Sequence, residues 1–464
     1  MKYVSTRGKA PSLTFEEAML SGLARDGGLY VPESWPVLTK EQISGFAGKT
    51  YEDIAFAVIK PFIGDAFSDS QFQQIISKSY SGFGHVARCP LVQLGPNDFL
   101  LELFHGPTLA FKDVAMQLIG QMFEVALKRR GERVTIVGAT SGDTGSAAIE
   151  AFRGLDAVDV FIMFPDGRVS DVQRRQMTTP SESNVHALAV DGDFDDCQAL
   201  LKDMFNDFEF RDGVKLAGVN SINWARVVAQ IVYYFTSAVA VGAPHRPVSF
   251  TVPTGNFGDI FAGYAAKRMG LPIERLVIAT NQNDILHRTL QSGNHSKSGV
   301  TPSISPSMDI QVSSNFERLV FDLYDRDGTA VNQLMETLKT DGAFILSEAA
   351  LSRLRAEFDS GRCDESETAA AIADFYKDTL EVLCPHTAVG VKVASNVERD
   401  LSVPMITLAT AHAAKFPAAV KKACGIHPAL PERMGDLFER KERMTKVEKN
   451  LEAIESLIRS RVTS

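Results

Sequence analysis

The sequence predicts a protein of the α/β class, in which parallel sheets are covered by helices. From about residue 91 onward, short apolar runs alternate with segments of helical length. Three of these runs are followed by a Gly-rich turn that leads into a helical segment. Strands that alternate with helices are typical of parallel sheets with helical crossovers. A chain of 464 residues has room for roughly two to four domains or subdomains.

The residues before this alternation are predicted to begin with a helix and a turn. Thr14 and Glu17 have the spacing of a capping box, which predicts a helix over 14–24. The Asp-Gly-Gly sequence at 26–28 predicts a turn, and an extended segment over 29–32 follows it.

The strands and helices that follow are predicted from apolar runs and their length. Strands are predicted at 99–104, 134–139, 158–165, 185–190, 248–254, 275–280 and 404–410. Helices are predicted over 109–130, 144–153 and 227–243. The last segment is apolar but shorter than the ~20 residues that span a bilayer. We therefore expect it to be a buried core helix and expect no membrane span.

Two further segments have distinct compositions. Residues 291–311 are rich in Ser, Gly and Pro and predict a long loop, either functional or merely solvated. In the charged C-terminal segment, Val447, Leu451, Ile454 and Ile458 recur at helical spacing. This pattern predicts an amphipathic helix that lies on the body of the protein, with the binding of a partner as the alternative.

Composition excludes several classes of function. The net charge is −9 and no basic cluster offsets it, so nucleic acid is not expected as a partner. The five cysteines are widely spaced without a CxxC pair, which disfavours disulfides and a zinc site and fits a reducing compartment. No histidine pattern predicts a metal. The N-terminus lacks the apolar region of a secretory signal, so we expect a cytoplasmic location.

Two Gly-rich turns predict anion binding. They are GATSGDTGSAA at 138–148 and PTGNFGDIFAG at 253–263. Such turns direct backbone N–H groups and a helix dipole at a ligand, although some are only tight turns. Neither matches the P-loop pattern, and neither matches the dinucleotide fingerprint well.

The third turn, HGPTLAFKDVAMQ at 105–117, contains Lys112 at the start of a predicted helix. Its neighbours Phe111 and Val114 are apolar. One interpretation is a surface lysine on an amphipathic helix. The other is a desolvated lysine with a lowered pKa, which is suited to Schiff-base chemistry. The local pattern leaves both open.

Together, HGPTLAFKD, ATSGDTG and PTGNFGD, in this order and spacing, resemble the threonine synthase family. This family belongs to the fold type II enzymes that use pyridoxal 5′-phosphate (PLP) and resemble tryptophan synthase β. The resemblance runs from residue 3 to about residue 420 and is of the microbial and fungal style, with Asp143 where relatives often carry Asn. Other similar stretches are YVSTRG (3–8), LARDGGLYVP (23–32), NSINWARVVAQIVYY (220–234), ATNQNDIL (279–286), SMDIQVSSNFERL (307–319), CPHTAVG (384–390) and LATAHAAKFP (408–417).

The resemblance implies two parallel-sheet α/β domains with PLP in the cleft between them. The N-terminal segment 1–90 would lie near the entrance of the active site. The smaller domain would comprise 115–215, and the larger PLP-binding domain would combine 91–114 with 216–464.

The resemblance also implies roles for individual residues. Lys112 would bond to PLP and act as the mobile base. Thr410 would hydrogen-bond the pyridine nitrogen, and Asp143 occupies the position of an Asn near the 3′-oxygen. The turn that would cradle the PLP phosphate contains Gly255, Asn256, Phe257, Gly258 and Asp259.

Substrate binding is implied for a second set of residues. Those expected to hold the substrate carboxylate are Thr140, Ser141, Gly142 and Thr144. Arg226 and Lys415, with Arg7 as a further candidate, would bind the substrate phosphate, or would form structural ion pairs instead. Weaker candidates are Asn281, His386 and His412.

The implied reaction is the conversion of O-phospho-L-homoserine and water to L-threonine and phosphate by β,γ-replacement, the last step of threonine biosynthesis. A phospho-lyase that releases 2-oxobutyrate would share every motif. A serine/threonine dehydratase or cysteine synthase would lack the N-terminal segment. A non-catalytic PLP-binding module is the remaining alternative. The expected assembly is a monomer or weak homodimer, with only a small-molecule substrate as partner.

Overall fold

The computed structural model describes residues 1–462 and contains the alternating strands and helices that the sequence predicts. The strands are β1 (Tyr3–Ser5), β2 (Tyr30–Pro32), β3 (Leu91–Gln93), β4 (Asp98–Glu102), β5 (Val134–Ala139), β6 (Val158–Pro165), β7 (Val185–Val190), β8 (Leu216–Ala217), β9 (Val248–Pro253), β10 (Ile273–Thr280), β11 (Asn294–Ser296), β12 (Ala343–Ile345), β13 (Phe358–Arg362), β14 (Met405–Ala409) and β15 (Thr445–Val447). The helices are α1 (Phe15–Ser21), α2 (Lys40–Ser44), α3 (Tyr51–Ile63), α4 (Asp69–Tyr80), α5 (Lys112–Arg130), α6 (Asp143–Phe152), α7 (Asp171–Thr178), α8 (Phe194–Asn206), α9 (Phe208–Gly213), α10 (Trp224–Ala240), α11 (Gly258–Arg268), α12 (Ile285–Ser292), α13 (Phe316–Leu323), α14 (Gly328–Thr340), α15 (Glu348–Glu357), α16 (Glu365–Thr379), α17 (Pro385–Asn396), α18 (Pro417–Cys424) and α19 (Leu451–Arg461).

Two sheets organise the chain. The larger has the strand order β13-β10-β9-β14-β4-β3, parallel except for the antiparallel edge strand β3. The smaller has the order β15-β7-β6-β5-β8 and is entirely parallel. Strand β6 is buried at every position, as expected for a parallel strand covered by helices on both faces.

The predicted domain division is wrong at the C-terminal end. Strand β15 pairs with β7 of the smaller sheet, although the sequence assigned all of 216–464 to the larger domain. On α19, Ile454 and Ile458 are buried in the core of the smaller sheet beside Phe161 and Cys197. The amphipathic spacing thus predicted a helix with Ile454 and Ile458 on its buried face, but Val447, which the same pattern included, lies in β15. Spacing also does not say which body a helix covers.

The N-terminal segment packs on the larger body. Strands β1 and β2 pair antiparallel, and the Tyr3 hydroxyl donates to the Phe62 carbonyl of α3. Helix α1 begins with the predicted capping box of Thr14 and Glu17. Helix α10 is the predicted core helix; its residues are almost all buried, and it contacts α3, α5 and α11. Within residues 1–462, no helix has the length and apolarity that crossing a membrane requires.

The predicted loop over 291–311 is partly structured. Helix α12 ends within it, β11 pairs with β12, and Pro306–Met308 forms a 3₁₀ turn. The rest is held by the Asp309 carboxylate, which accepts hydrogen bonds from Asn281, Asn283 and Ser303 at 2.6–2.9 Å. Side-chain contacts of this kind leave no periodic signal in the sequence.

Candidate functional site

A cleft of about 500 Å³ lies where the carboxyl ends of strands from both sheets meet. Ligand sites of open α/β sheets are expected at such ends. The cleft brings together most of the predicted site residues, namely Lys112, Thr140, Ser141, Asp143, Thr144, Arg226, Gly255, Asn256, Phe257, Gly258, Asp259 and Thr410. Gly142 is the N-cap of α6, behind the lining residues, and Lys415 also lies outside the lining.

Lys112 is the first residue of α5 and is only 7% exposed. The turn before it is tied to the end of β14, because the Phe111 N–H donates to the Thr410 carbonyl at 2.8 Å and Ala110 pairs with Ala411. Leu109 adopts a left-handed backbone with φ of 63°, a conformation that non-glycine residues rarely adopt outside functional sites and tight turns. Burial lowers the pKa of Lys112 and favours the neutral amine, although Asp143 opposes the shift.

Asp143 lies between two lysines. Its carboxylate oxygens are 3.5 Å from the Lys112 Nζ and 3.0 Å from the Lys415 Nζ, and the Gln173 amide donates to it at 2.9 Å. Burial alone would raise the pKa of Asp143, but Lys415 and Lys112 outweigh it and hold this pKa well below its ordinary value. An ionised Asp143 is therefore the shared partner of Lys112 and Lys415, which accounts for an acid at the position where the family resemblance implies an Asn.

Lys415 was a candidate for binding the substrate phosphate, with a structural ion pair as the alternative, and the structure shows an ion pair with Asp143. Its side chain is fully buried, and Nζ also donates to the Thr108 carbonyl at 2.7 Å and to the Gln176 side chain at 2.9 Å. With these acceptors and Asp143, the ammonium group has partners for its three hydrogens. The expectation is therefore corrected: Lys415 belongs to the network behind the cleft.

The turn at 254–259 forms a cradle at the N-terminus of α11. Phe257 is its N-cap, with φ of 63° and no side-chain capping bond, so the first N–H groups of the helix are open to an anion. A Cβ on Gly255 would lie 2.6 Å from the Ser307 carbonyl, so only glycine fits there. Asp259 accepts from the hydroxyls of Tyr233 and Tyr234, and burial raises the pKa of Asp259 to about 7.

The turn at 140–145 is organised by Thr140. Its hydroxyl accepts the N–H groups of Gly142 and Gly145, both at 2.9 Å. Thr140 therefore shapes the turn. The N–H groups of Asp143 and Thr144 begin α6 and have no partner within the helix, so they and the Ser141 hydroxyl are the groups suited to a carboxylate.

Arg226 supplies an unpaired cation to the cleft. It is 4% exposed, and its Nε and Nη1 have no hydrogen-bond partner among the described residues. Burial lowers the pKa of this guanidinium to about 10, which still leaves it charged at neutral pH. An unpaired buried charge is costly, so its presence indicates an anionic ligand. The Lys112 amine, the open helix N-terminus at 254–259 and this cation fit PLP together with a second anion.

Of the four remaining candidates, three have structural partners and one lines the cleft. Arg7 forms an ion pair with Glu317 at 3.1 Å, Asn281 holds the 301–309 loop, and His412 caps the turn at Ala414. His386 does line the cleft: its Nε2 accepts the Ser307 N–H, and its Nδ1 is buried without a partner among residues 1–462. Burial lowers the pKa of His386 to about 4, so the ring is neutral. Within residues 1–462, no cluster of His, Cys, Asp and Glu side chains is able to hold a metal ion.

A buried lysine at a helix start, facing a phosphate cradle between two α/β bodies, defines a PLP-dependent enzyme. The family described as "Pyridoxal-phosphate dependent enzyme" matches residues 84–405. Two narrower families flank it. "Threonine synthase N terminus" matches 2–80, and "Threonine synthase, C-terminal" matches 387–458.

Relatives and solved structures narrow the assignment. A threonine synthase of Pseudomonas aeruginosa is 53% identical over 99% of this chain and 98% of its own length. The PLP-bound threonine synthase of Brucella melitensis has a TM-score of 0.97 at 58% identity, with full coverage of both chains. The yeast threonine synthase has a TM-score of 0.94 at 41% identity, covering 99% of this chain and 98% of its own. The chain belongs to the threonine synthase family, and the predictions of this family, its fold and its PLP cofactor are confirmed.

Proposed function

We propose that the chain converts O-phospho-L-homoserine and water to L-threonine and phosphate in this cleft. The observation that carries the proposal is Arg226. It is an unpaired, buried guanidinium beside the cradle at 254–259, so the cleft has groups for two phosphates. One would belong to PLP and the other to the substrate. Bidentate recognition of phosphate is the chemistry that a guanidinium serves best.

The cofactor contributes one part of the chemistry. When bound, PLP withdraws electrons from the substrate carbons and so acidifies the protons on them. The Thr254–Asp259 turn would hold its phosphate, and the Thr410 hydroxyl would face its ring nitrogen. A hydroxyl does not protonate this nitrogen as a carboxylic acid would. Proton transfer to and from the substrate carbons therefore depends on the protein side chains.

Lys112 is the residue placed to move them. As a neutral amine it would take the proton from Cα and then one from Cβ, and the phosphate leaves from Cγ. A proton is then delivered to Cγ, water adds its oxygen at Cβ, and a proton returns to Cα. These transfers balance as one water consumed and one phosphate released. A positioned general base contributes typically about 10²–10⁴-fold.

The local charge suits this substrate despite the negative net charge of the whole chain. Arg226 brings a charged guanidinium whose Nε and Nη1 have no partner among the described residues. The first N–H groups of α6 and α11 also lie at the cleft without partners in their own helices. These donors suit a phosphate and a carboxylate. A cytoplasmic location, supported by the composition, and a monomer or weak homodimer, supported by the family resemblance, remain part of the proposal.

The first test is to supply the PLP-loaded protein with O-phospho-L-homoserine and to identify the amino-acid product while phosphate is measured. We expect threonine in equal amount to phosphate and no turnover by Lys112→Ala, because that variant lacks both the cofactor linkage and the base. Circular dichroism of the variant provides the control for folding. Phosphate with 2-oxobutyrate would replace the synthase by a phospho-lyase. Bound PLP without phosphate release would refute the substrate and favour a binding module.

A further inference from the structure

Lys415 occupies a position that the reaction above does not use. Its ammonium group contacts Asp143, Thr108 and Gln176, and its side chain has no exposed surface. These three acceptors account for the three N–H groups of Lys415, so none is left for the substrate. Its separation of 3.0 Å from Asp143 is shorter than the 3.5 Å between Asp143 and Lys112. The carboxylate is thus anchored from behind and faces Lys112 with its other oxygen.

The partners of Lys415 also position the segment that carries Lys112. The Thr108 N–H and hydroxyl both donate to the Asp113 carboxylate, at 2.8 and 2.6 Å. The Thr108 carbonyl in turn accepts from Lys415 and from the Gln176 amide. The Lys415 ammonium group therefore links the turn before Lys112, through the Thr108 carbonyl, to the Asp143 carboxylate.

We infer that Lys415 is a positioning residue: it holds Asp143 as a fixed, charge-balanced partner of the Lys112 amine. The pair behaves toward Lys112 much as a neutral hydrogen-bonding group would. The Asp143 carboxylate without Lys415 would stabilise the protonated form of Lys112, whereas the Lys415 ammonium group without Asp143 would favour the neutral form. The inference rests on the proposed role of Lys112 as the base.

Other charged or titratable groups face Lys112 and Asp143 from the surrounding elements. Arg226 of α10 and Lys415 lower the pKa of Lys112, which Asp143 raises. His386 of α17 contributes to lowering the pKa of Asp143. Lys112 opposes the rise in the pKa of Asp259 of α11. The test therefore changes only Asp143 and Lys415, which leaves the contributions of the other groups constant.

The experiment is a double-variant cycle read by pH titration of the visible absorption of the bound cofactor. Lys415→Met should raise the pH midpoint by about one unit, because the charge of Asp143 is no longer balanced. Asp143→Asn, which preserves shape, should lower it. The double variant D143N/K415M should return close to the parent. Gln176→Met, which removes a partner of Lys415 but no charge, is the matched control and should not move the midpoint.

The same cycle is read in the cofactor-free protein by ¹³C NMR of reductively methylated Lys112, whose signal is assigned with Lys112→Arg. This readout needs neither PLP nor turnover, so failure of the proposed reaction and failure of this inference are distinguishable. Opposite shifts for the single variants, with restoration in the double variant, support the inference. Should Lys415→Met not fold, a lowered midpoint in Asp143→Asn supports it. Single-variant shifts of the same sign, or an unmoved midpoint in Asp143→Asn, would overturn it.

Discussion

At the scale of single residues, Arg226 shows a conflict between stability and binding. Its guanidinium is buried with two nitrogens unpaired, and a charge in that state destabilises the ligand-free protein. We expect Arg226→Met to raise KM for the phosphorylated substrate by roughly 10–100-fold, since a hydrogen bond to a charged group contributes about 1.5–3 kcal/mol. Steady-state kinetics measure this change.

Arg226→Lys is the matched control, because it keeps the charge and loses the paired donors. Its KM should fall between those of the parent and Arg226→Met. Thermal unfolding of the ligand-free proteins should show Arg226→Met at least as stable as the parent. An unchanged KM in Arg226→Met would remove this residue from substrate binding.

The resemblance predicted that Lys112 and the turn at 254–259 share one cleft, and the structure brings them together there. Each lies in a contiguous motif that can be recognised, although the local pattern around Lys112 alone also allowed a surface residue. The sequence did not predict the role of Lys415, since its partners Thr108, Asp143 and Gln176 come from three distant segments. For the same reason the sequence could not tell which of Arg7, Arg226 and Lys415 is unpaired. Ion pairing between remote residues leaves no local pattern.

At the scale of elements, helices α5 and α6 pack with almost no space between their backbones. A Cβ on Gly120 of α5 would lie 2.4 Å from the Ala151 carbonyl oxygen of α6. Gly120→Ala should therefore destabilise the protein by about 1–3 kcal/mol, although alanine is the better helix former by roughly 1 kcal/mol. Chemical denaturation measures the change.

The control for this substitution is Gly82→Ala, where an added Cβ would meet nothing within 4 Å. That change should be neutral or slightly stabilising, by at most about 1 kcal/mol. Equal stability of the two variants would show that the helices can separate without cost. It would contradict the close contact described for α5 and α6.

Strands were predicted best where they are fully buried. Strands β6 and β9 are buried at every position and mostly apolar, so their limits coincide closely with the predicted runs. The short strands β3, β8 and β15 were not predicted. Each lies at the edge of its sheet and is partly exposed, so its composition resembles that of a loop.

At the scale of the whole molecule, Asp259 makes stability depend on pH. Its pKa is raised from 3.8 to about 7 by burial, so the folded state keeps a proton that the unfolded state has lost. This contribution is fully present below pH 3.8 and is lost as pH rises to about 7. Between pH 5 and 7 we expect the ligand-free protein to lose roughly 2 kcal/mol relative to Asp259→Asn.

Denaturant unfolding of both proteins at several pH values, in buffer without phosphate, tests this expectation. Asp259→Asn keeps an acceptor for the Tyr233 and Tyr234 hydroxyls and removes only the titration. The comparison therefore cancels the other titrating groups. Parallel stability curves across this pH range would mean that Asp259 titrates alike in the folded and unfolded states.

The pairing of β15 with β7 has a consequence for synthesis on the ribosome. All strands of the larger sheet precede β15 in the chain, whereas β5, β6 and β7 of the smaller sheet are translated much earlier. Until β15 and α19 emerge, β7 is an open edge and the apolar residues around Cys197 lack their cover. An open edge is a site of aggregation. The smaller sheet, whose strands β5 to β8 precede β9, β10, β13 and β14 of the larger sheet, is therefore the last to be completed, and the β7 edge stays open until almost the whole chain has been translated.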